Sequence, residues 1–354
     1  MCRKVVIGMS GGVDSSVAAW LLKEQGYEVY GVTMRIWQEE GRHHADTAAE
    51  DAAKVAEKLG ISHREVDFSE IFRRKVVDYF TAEYRQGRTP NPCVVCNHFV
   101  KWQALLDYAK SLGADLVATG HYARVEQLPD GRYTIRQAAS VRKDQTYALC
   151  FLTQDQLAHT LMPLGEYDKG QIREIAARLE LPVAEKPDSQ DICFIPDGDH
   201  LAFMERYSGE KAVPGDFVTA DGQVLGRHQG ICAYTIGQRK GLGLAMGHPV
   251  FVTALDPQAN RVVIGENEDL FSRQVVADHV SLMGLSDGSL PGRYSAKIRY
   301  HHQASPCCAY IGEDGRMYVT FDEAQRAITP GQAVVLYRDQ CIMAAGLIRN
   351  PEAV

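Results

Sequence analysis

The sequence predicts an α/β fold, a doubly wound parallel sheet, followed by two small β-rich domains. A short apolar run at 5–7 precedes a glycine turn and a helix-like run at 17–22, so the chain opens as strand, turn and helix. Strand-like and helix-like segments then alternate as far as residue 119, which is typical of a parallel sheet covered by helices. From about residue 205, Val-rich runs with Gly and Pro replace the helical periodicity.

The first elements can be placed from their patterns and caps. Strands are predicted at 28–34, 61–68 and 114–119. A helix at 47–59 ends at Gly60, and a second helix begins at Asp67 or Ser69 and runs to about Tyr84.

The next segment is predicted to be a loop that leads into a helix. Residues 87–93 contain two prolines around Asn91, which favours a loop. Asn97 then has the side chain of an N-cap, for a helix that runs to Leu112 and stops at Gly113.

The remaining pattern predicts a hairpin, two further helices and then β structure. The hairpin turns at 129–131, and the helices lie near 154–162 and 168–180. Strands are expected at 216–219, 250–253 and 261–264, with more β structure from about 275. The predicted domains are therefore a catalytic α/β domain at 1–204, a central β domain at 205–274 and a C-terminal barrel-like domain at 275–354.

Composition excludes several classes of protein. The 354 residues are 45% hydrophobic and 23% charged, as in an ordinary globular chain of two or three domains. No signal peptide and no apolar run long enough to span a membrane are found, so we expect a cytoplasmic protein. The net charge of −7 argues against a generic nucleic-acid coat protein. Local basic runs at 239–240 and 297–302 are either RNA-binding surfaces or solvated charged faces.

Residues 8–16 read GMSGGVDSS and form the turn between the first strand and the first helix. Such a turn places backbone N–H groups and a positive helix N-terminus around an anion. Gly11 and Gly12 let the backbone approach a phosphate closely. No Lys follows the glycines, so this is not a G-x-x-x-x-G-K-[ST] loop. The string S-G-G-V-D-S resembles the pyrophosphate loop of ATP pyrophosphatases, which split ATP between its α and β phosphates. The alternative is a tight turn without a ligand.

Cysteines form a second constellation. Nine cysteines, an odd number, do not indicate a secreted disulfide scaffold. Cys93 and Cys96 form a C-x-x-C pair before a helix, where the helix N-terminus lowers a thiol pKa and favours a nucleophile or a metal ligand. The alternatives are half of a zinc site, for which no second C-x-x-C is present, and two inert thiols. Cys193 follows polar turn residues and is by itself compatible with simple burial. Packing is the expectation for Cys2, Cys150, Cys232, Cys307, Cys308 and Cys341.

Six motifs in this order resemble the bacterial tRNA-specific 2-thiouridylase family, enzymes that thiolate the wobble uridine of tRNA. The resemblance extends over essentially the whole chain. The motifs are SGGVDS at 10–15, RTPNP at 88–92 with CN at 96–97, ATGHYAR at 118–124, KDQTY at 143–147, DSQDICF at 188–194 and YTIGQRKGLG at 234–243.

The resemblance implies a role for each matching residue. Cys193 would carry the incoming sulfur as a persulfide, and Cys96 would attack it and release the sulfur, which leaves a disulfide bond between them. ATP would be held by Gly8, Met9, Ser10, Gly11, Gly12, Val13, Asp14, Ser15, Met34 and Gly120. The target base and the tRNA would be contacted by Asn91, Pro92, Cys93, His121, Lys143, Asp144, Gln145, Arg299, Tyr300 and Gln332.

The residue types suit this chemistry. The C2 oxygen of uridine is a poor leaving group, and adenylation by ATP converts it into a good one. Two thiols are needed if one is to discharge a persulfide carried by the other, and the base must leave its stack to reach them. The carboxylate of Asp14 beside phosphates suggests Mg²⁺. The expected partners are tRNA and a persulfide donor, either a cysteine desulfurase or a relay protein.

One position departs from the family pattern. Many members have Asp where this chain has Cys93, so any acid, base or ligand role of that Asp is in doubt here. Cys93, Cys96 and Cys193 provide three thiols, which favours an alternative to the persulfide route: an iron–sulfur cluster with one iron open to sulfide.

Two other functions are weighed against this one. A ligase that adenylates a small molecule would explain the glycine turn but not Cys96 or Cys193. A non-catalytic RNA-binding or sulfur-carrying protein would explain the basic runs but not the nucleotide loop. Dependence of ATP turnover on tRNA separates the first from a thiouridylase, and ATP binding separates the second.

Overall fold

A parallel sheet forms the first half of the protein. The structure is a computed structural model that describes residues 2–37, 47–187, 192–286 and 290–350. The strands of this half are β1 Lys4–Gly8, β2 Glu28–Arg35, β3 Ser62–Asp67, β4 Leu116–Ala118, β5 Ala123–Gln127, β6 Tyr133–Gln137 and β7 Thr160–Leu161. Five of them form one sheet in the order β3-β2-β1-β4-β7, and all its neighbours are parallel.

Helices cover both faces of this sheet. They are α1 Val13–Glu24, α2 Thr47–Leu59, α3 Ser69–Phe72, α4 Asp78–Arg85, α5 Pro92–Cys96, α6 Leu105–Ser111, α7 Gln154–Ala158, α8 Lys169–Arg178 and α9 His200–Ser208, with π-helical turns at Arg73–Val77 and Asn97–Ala104. Val5 and Ile7 of β1 pack into the core of α1, α2 and α8, whereas Val6 packs into that of α6. This alternation buries both faces of the strand, so the predicted doubly wound sheet is confirmed.

Two predicted helix boundaries are wrong. The helix expected to start at Asn97 begins at Pro92, because Asn91 Oδ1 accepts the N–H of Cys93 at 3.1 Å and proline suits a first helical position. Asn97 is instead buried inside the helix and donates to Ala148 O at 2.9 Å. The helix expected at 154–162 ends at Ala158, since Thr160–Leu161 joins the edge of the sheet as β7.

The second half is β structure, as predicted. Its first strands are β8 Gly215–Val218, β9 Val224–His228, β10 Phe251–Asp256 and β11 Arg261–Gly265, in one sheet of order β10-β11-β8-β9. Six more strands follow: β12 Phe271–Ser281, β13 Gly292–Lys297, β14 Ser305–Ile311, β15 Met317–Arg326, β16 Ala333–Arg338 and β17 Cys341–Ile348. Pairing of β12 with both β15 and β17 closes these six into a barrel.

The hairpin β5–β6 lies within the α/β region of the chain, but its strands extend the sheet of the barrel. Its turn at 129–131 is confirmed by the Gly131 N–H, which donates to Leu128 O at 2.9 Å. Strand β6 pairs with β17, and Thr134 Oγ1 donates to Ile342 O at 2.6 Å. This attachment carries no sequence signal.

The predicted domain boundaries remain predictions, and β12 runs across the one near residue 275. Among the described residues, no helix has the length and apolar character that a membrane crossing needs.

Candidate functional site

The glycine loop joins β1 to α1 and leaves the N-terminus of α1 uncapped by any side chain of the described residues. Gly11 has φ +64°, and a Cβ there would lie 2.3 Å from Ala48 O. The Ser10 N–H donates to Ser15 Oγ at 3.1 Å, which folds the loop over the first turn of α1. Met9, Gly11, Val13 and Ser15 of the loop are buried, because α2 packs directly on the loop.

The structure brings Met34 and Gly120 to this loop. A Cβ on Gly120 would lie 2.7 Å from Ser15 N and 2.9 Å from the carbonyl carbon of Asp14. Only glycine at this position therefore lets the chain after β4 come so close to α1. A Cβ on Gly8 would lie 2.9 Å from Met34 Cε. All ten residues expected to hold ATP therefore lie at the carboxyl edge of the sheet, where such sheets bind ligands.

Two lysines missed by the sequence reasoning reach the same loop. Lys169 Nζ lies 2.7 and 2.8 Å from the two carboxylate oxygens of Asp14, and the Tyr122 hydroxyl donates to Asp14 Oδ1 at 2.6 Å. Lys186 Nζ donates to Gly11 O at 3.1 Å and to Asp51 Oδ2 at 2.9 Å. Both lysines lie more than 150 residues beyond the loop in the chain, so no local pattern marks them.

Three thiols, those of Cys93, Cys96 and Cys193, lie near one another. Cys93 is exposed in the first turn of α5, Cys96 ends that helix and is buried, and Cys193 is exposed. Residues 188–191, which complete the Cys193 motif, lie outside the described residues. Charge on Cys93 or Cys193 would raise the pKa of Cys96, and Lys101 lowers the pKa of both Cys96 and Cys193.

The pKa expected for Cys96 is wrong in direction. Burial raises the pKa of its thiol to about 12, and the ammonium of Lys101 offsets only part of this increase. Desolvation outweighs the helix N-terminus because Cys96 lies at the end of the five-residue α5, away from its free N–H groups. Desolvation also raises the pKa of the Cys193 thiol, although the residue as a whole is exposed to solvent.

The thiols do not form a ready metal site. Within the described residues, no group of three or more His, Cys, Asp or Glu side chains is placed to hold a metal ion. As placed, Cys93, Cys96 and Cys193 therefore form no site for a single metal ion, and the iron–sulfur cluster stays a prediction; Asp14 meets a lysine rather than an open metal position. All nine cysteines are free thiols. Of the six expected only to pack, Cys150, Cys307 and Cys341 are buried and Cys232 is half-buried, whereas Cys2 and Cys308 are exposed.

Four residues expected to contact RNA lie in the α/β region: His121 directly follows Gly120, and Lys143, Asp144 and Gln145 lie after β6. His121 Nδ1 lies 2.8 Å from Thr119 Oγ1, and burial together with Lys101 holds its pKa well below the usual value, so it is neutral at pH 7. Lys143 is half-exposed. Asp144 accepts from Thr146 Oγ1 at 2.8 Å, and Gln145 Oε1 accepts the N–H of Tyr122 at 2.9 Å. These two side chains are bonded within the protein, and their RNA contacts remain predictions.

The barrel places its expected RNA-binding residues against the α/β region. Arg299 Nη1 donates to Arg326 O at 3.0 Å, and burial lowers the pKa of its guanidinium. The ring of Tyr300 meets that of Tyr147 edge-on, with centroids 6.2 Å apart. Gln332 Nε2 donates to Thr89 O at 2.7 Å, just before Asn91 and Pro92. Of the predicted RNA-binding set in the barrel, the structure therefore places Gln332 against the loop that precedes the thiols.

Comparison with known proteins gives a consistent result along the chain. Three family models match: tRNA methyl transferase HUP domain at 3–197, tRNA methyl transferase PRC-barrel domain at 201–266, and aminomethyltransferase beta-barrel domain at 272–348. The chain is similar to proteins named tRNA-specific 2-thiouridylase MnmA. That of Lachnoclostridium phytofermentans is 50% identical, covering 98% of this chain and 99% of that protein. That of Clostridium perfringens is 52% identical with the same coverage. That of Clostridioides difficile is 48% identical, covering 99% of both chains.

Proposed function

The chain belongs to the tRNA-specific 2-thiouridylase family, and from that premise we propose that it transfers sulfur to C2 of the wobble uridine of tRNA. It is an enzyme, a tRNA-uridine 2-sulfurtransferase. In the proposed reaction, ATP adenylates the uridine with release of pyrophosphate, a cysteine persulfide supplies the sulfur, and displacement of AMP leaves 2-thiouridine in the tRNA. The observation that supports this most directly is the position of Gly120 and His121. Gly120 contacts the glycine loop. The next residue, His121, lies close enough to Lys101 for the ammonium to lower its pKa, and the same ammonium lowers the pKa of Cys96 and of Cys193.

The glycine loop and its lysines suit the phosphates of ATP. Uncapped N–H groups at the start of α1 form an anion-binding cradle, and Gly11 and Gly120 let α2 and the end of β4 pack closely against the loop that carries them. Lys169 and Lys186 supply the positive charge that a P-loop lysine supplies elsewhere. Mg²⁺ that accompanies ATP would neutralise charge on the phosphates, whereas the carboxylate of Asp14 is held by Lys169 and Tyr122.

The exposures of the two thiols suit their separate steps. Cys193 is exposed, as a thiol must be if a protein donor is to load it with sulfur. Cys96 is buried, which protects it from the donor and from oxidation. Attack of the Cys96 thiolate on the inner sulfur of the Cys193 persulfide forms a disulfide and expels hydrosulfide. Hydrosulfide then displaces AMP from C2 of the uridine.

The partners follow from this chemistry. We propose that tRNA binds across the barrel residues Arg299 and Tyr300 and the half-exposed Lys143. The sulfur donor, a cysteine desulfurase or a relay protein, must reach Cys193 from solvent. A cytoplasmic location is consistent with both partners.

The proposed function is tested by one assay. Enzyme purified without oxygen is analysed for iron and sulfide and then given ATP, a persulfide donor and tRNA that lacks the modification. We expect 2-thiouridine and AMP in equal amounts, both dependent on tRNA. AMP formation without tRNA would favour the small-molecule ligase instead.

Two cationic residues are expected to contribute to RNA binding. Lys143→Ala and Arg299→Ala should each weaken tRNA binding about five- to tenfold and lower the salt slope of log K by about 1, because each removes a charge that displaces a counterion. Binding is measured across a salt series. Lys110→Ala, which removes an exposed lysine of α6 paired with Asp155, is the control. An unchanged slope would assign Lys143 and Arg299 to an ordinary solvated face.

Sulfur release should accelerate with pH. Because burial raises the pKa of Cys96 to about 12, its thiol is almost fully protonated at pH 7, and its thiolate fraction grows about tenfold per pH unit. Hydrosulfide release from persulfide-loaded enzyme, measured without tRNA, should rise about a hundredfold between pH 7 and 9. Cys96→Ser should remove the rise, and a flat profile in the unaltered enzyme would contradict the role of Cys96.

A further inference from the structure

Both β regions hold the loop before α5 through one residue, Thr89. Its N–H donates to Pro330 O at 2.8 Å, and its carbonyl oxygen accepts from Gln332 Nε2 at 2.7 Å. Its hydroxyl donates to Thr235 Oγ1 at 3.1 Å. Every polar group of Thr89 is therefore bonded to a residue outside the α/β region.

The barrel segment that makes these contacts is itself fixed. Gly331 has φ +90°, and a Cβ there would lie 3.0 Å from both Thr89 N and Thr89 C, so glycine is required. Ala333, two residues later, donates its N–H to the Tyr147 hydroxyl at 3.0 Å, and its carbonyl oxygen accepts from that hydroxyl at 2.9 Å. The segment cannot shift without disturbing contacts on both sides.

Thr89 also lies only a few residues before α5, the helix that carries Cys93 and Cys96. Arg88, before it, makes two hydrogen bonds to the carboxylate of Glu83, one of them 2.7 Å long. Asn91, two residues after it, caps α5 through the N–H of Cys93. Few backbone rotations separate Thr89 from α5, so its position sets where that helix begins.

We propose that Gln332 is a positioning residue: through Thr89 it holds α5 in register with the barrel, so that RNA bound to the barrel meets the thiols at a fixed distance. This rests on the proposed function. The amide nitrogen of Gln332 does this work. Its oxygen lies 3.5 Å from the Tyr147 hydroxyl, whose proton goes to Ala333 O, so the oxygen is the atom left for the RNA contact that the family resemblance implies.

The test separates alignment from RNA affinity. Gln332→Glu keeps an oxygen and loses the donor to Thr89, and Gln332→Met loses both. Both should lower the single-turnover rate of thiolation at saturating tRNA about tenfold, the loss expected for one hydrogen bond. ATP binding should be unchanged. Gln274→Glu, the same substitution at an exposed position of β12, is the control and should behave as the unaltered enzyme.

A second pair of variants tests the anchoring of Thr89 through its other side-chain link, the hydroxyl bond to Thr235, without altering Gln332. Thr89→Val loses the hydroxyl and should lower the saturated rate, and Thr89→Ser keeps the hydroxyl and should restore it. If the Gln332 variants fail to fold, a normal saturated rate in Thr89→Val would show that the anchoring of Thr89 does not position α5. A higher Kd for tRNA with a normal saturated rate in all of these variants would overturn the positioning role. No thiolation by the unaltered enzyme or by Gln274→Glu would instead overturn the proposed function itself.

Discussion

Replacing Cys193 with serine is expected to abolish thiolation of tRNA, with the single-turnover rate falling about 10³-fold or more. A serine hydroxyl cannot accept a sulfur atom from a persulfide donor, so the first step fails. Cys96→Ser should load the persulfide normally and fail to release it, because no thiolate attacks Cys193. Mass spectrometry of donor-treated enzyme distinguishes an unloaded Cys193→Ser variant from a loaded, stalled Cys96→Ser variant. Both should still adenylate the uridine of tRNA and release pyrophosphate, since neither thiol takes part in that step.

Cys93→Ala is the matched control for these two variants. On the persulfide route it retains substantial activity, because the exposed Cys93 thiol takes part in neither step. On the cluster route it loses iron and activity together. Normal thiolation by Cys193→Ser would show that the mechanism is wrong at its centre.

Replacing Asp14 with alanine is expected to reduce adenylation about 10²- to 10³-fold while the protein still folds. The carboxylate orients Lys169 and Tyr122 at the start of α1, so its loss removes the group that positions this ammonium where the phosphates are expected. The pair is partly exposed, with 15% of the Lys169 side chain and 31% of the Asp14 side chain accessible. Its contribution to stability is therefore modest. AMP formation and thermal unfolding are measured together.

Asp14→Asn separates charge from shape. It keeps an oxygen that accepts from Tyr122 and removes the negative charge, so it should be about as inactive as Asp14→Ala. If a folded Asp14→Ala variant released AMP at the normal rate, the assignment of the glycine loop to ATP would fail.

Local patterns predicted the parts of the fold that depend on local interactions. The 47–59 helix with Gly60 after it and the hairpin turn at 129–131 follow from caps and turn residues, and the structure has both. The start of α5 was missed because a proline before a helix has the same sequence appearance as a proline in a loop. Only the hydrogen bond from the Cys93 N–H to Asn91 separates the two cases.

The site could be predicted only where one segment contains it. The glycine loop was identifiable because its strand, turn and helix are consecutive. Lys169, Lys186 and the bonds of Thr89 join residues far apart in the chain, and no period or cap marks them. The pKa of Cys96 was misjudged for the same reason: the helix end is visible in the sequence, but the residues that bury the thiol are not.

The β5–β6 hairpin makes the C-terminal barrel dependent on a segment made much earlier by the ribosome. Residues 123–137 leave the ribosome some two hundred residues before β17, the strand with which β6 pairs. Until then β6 has an unpaired edge, which is a site for wrong pairing or for a chaperone. A barrel exchanged between relatives without its hairpin would lose that edge partner. A functional exchange between relatives must therefore move the β5–β6 hairpin of the α/β half together with the barrel, although the sheets of the two halves differ in architecture.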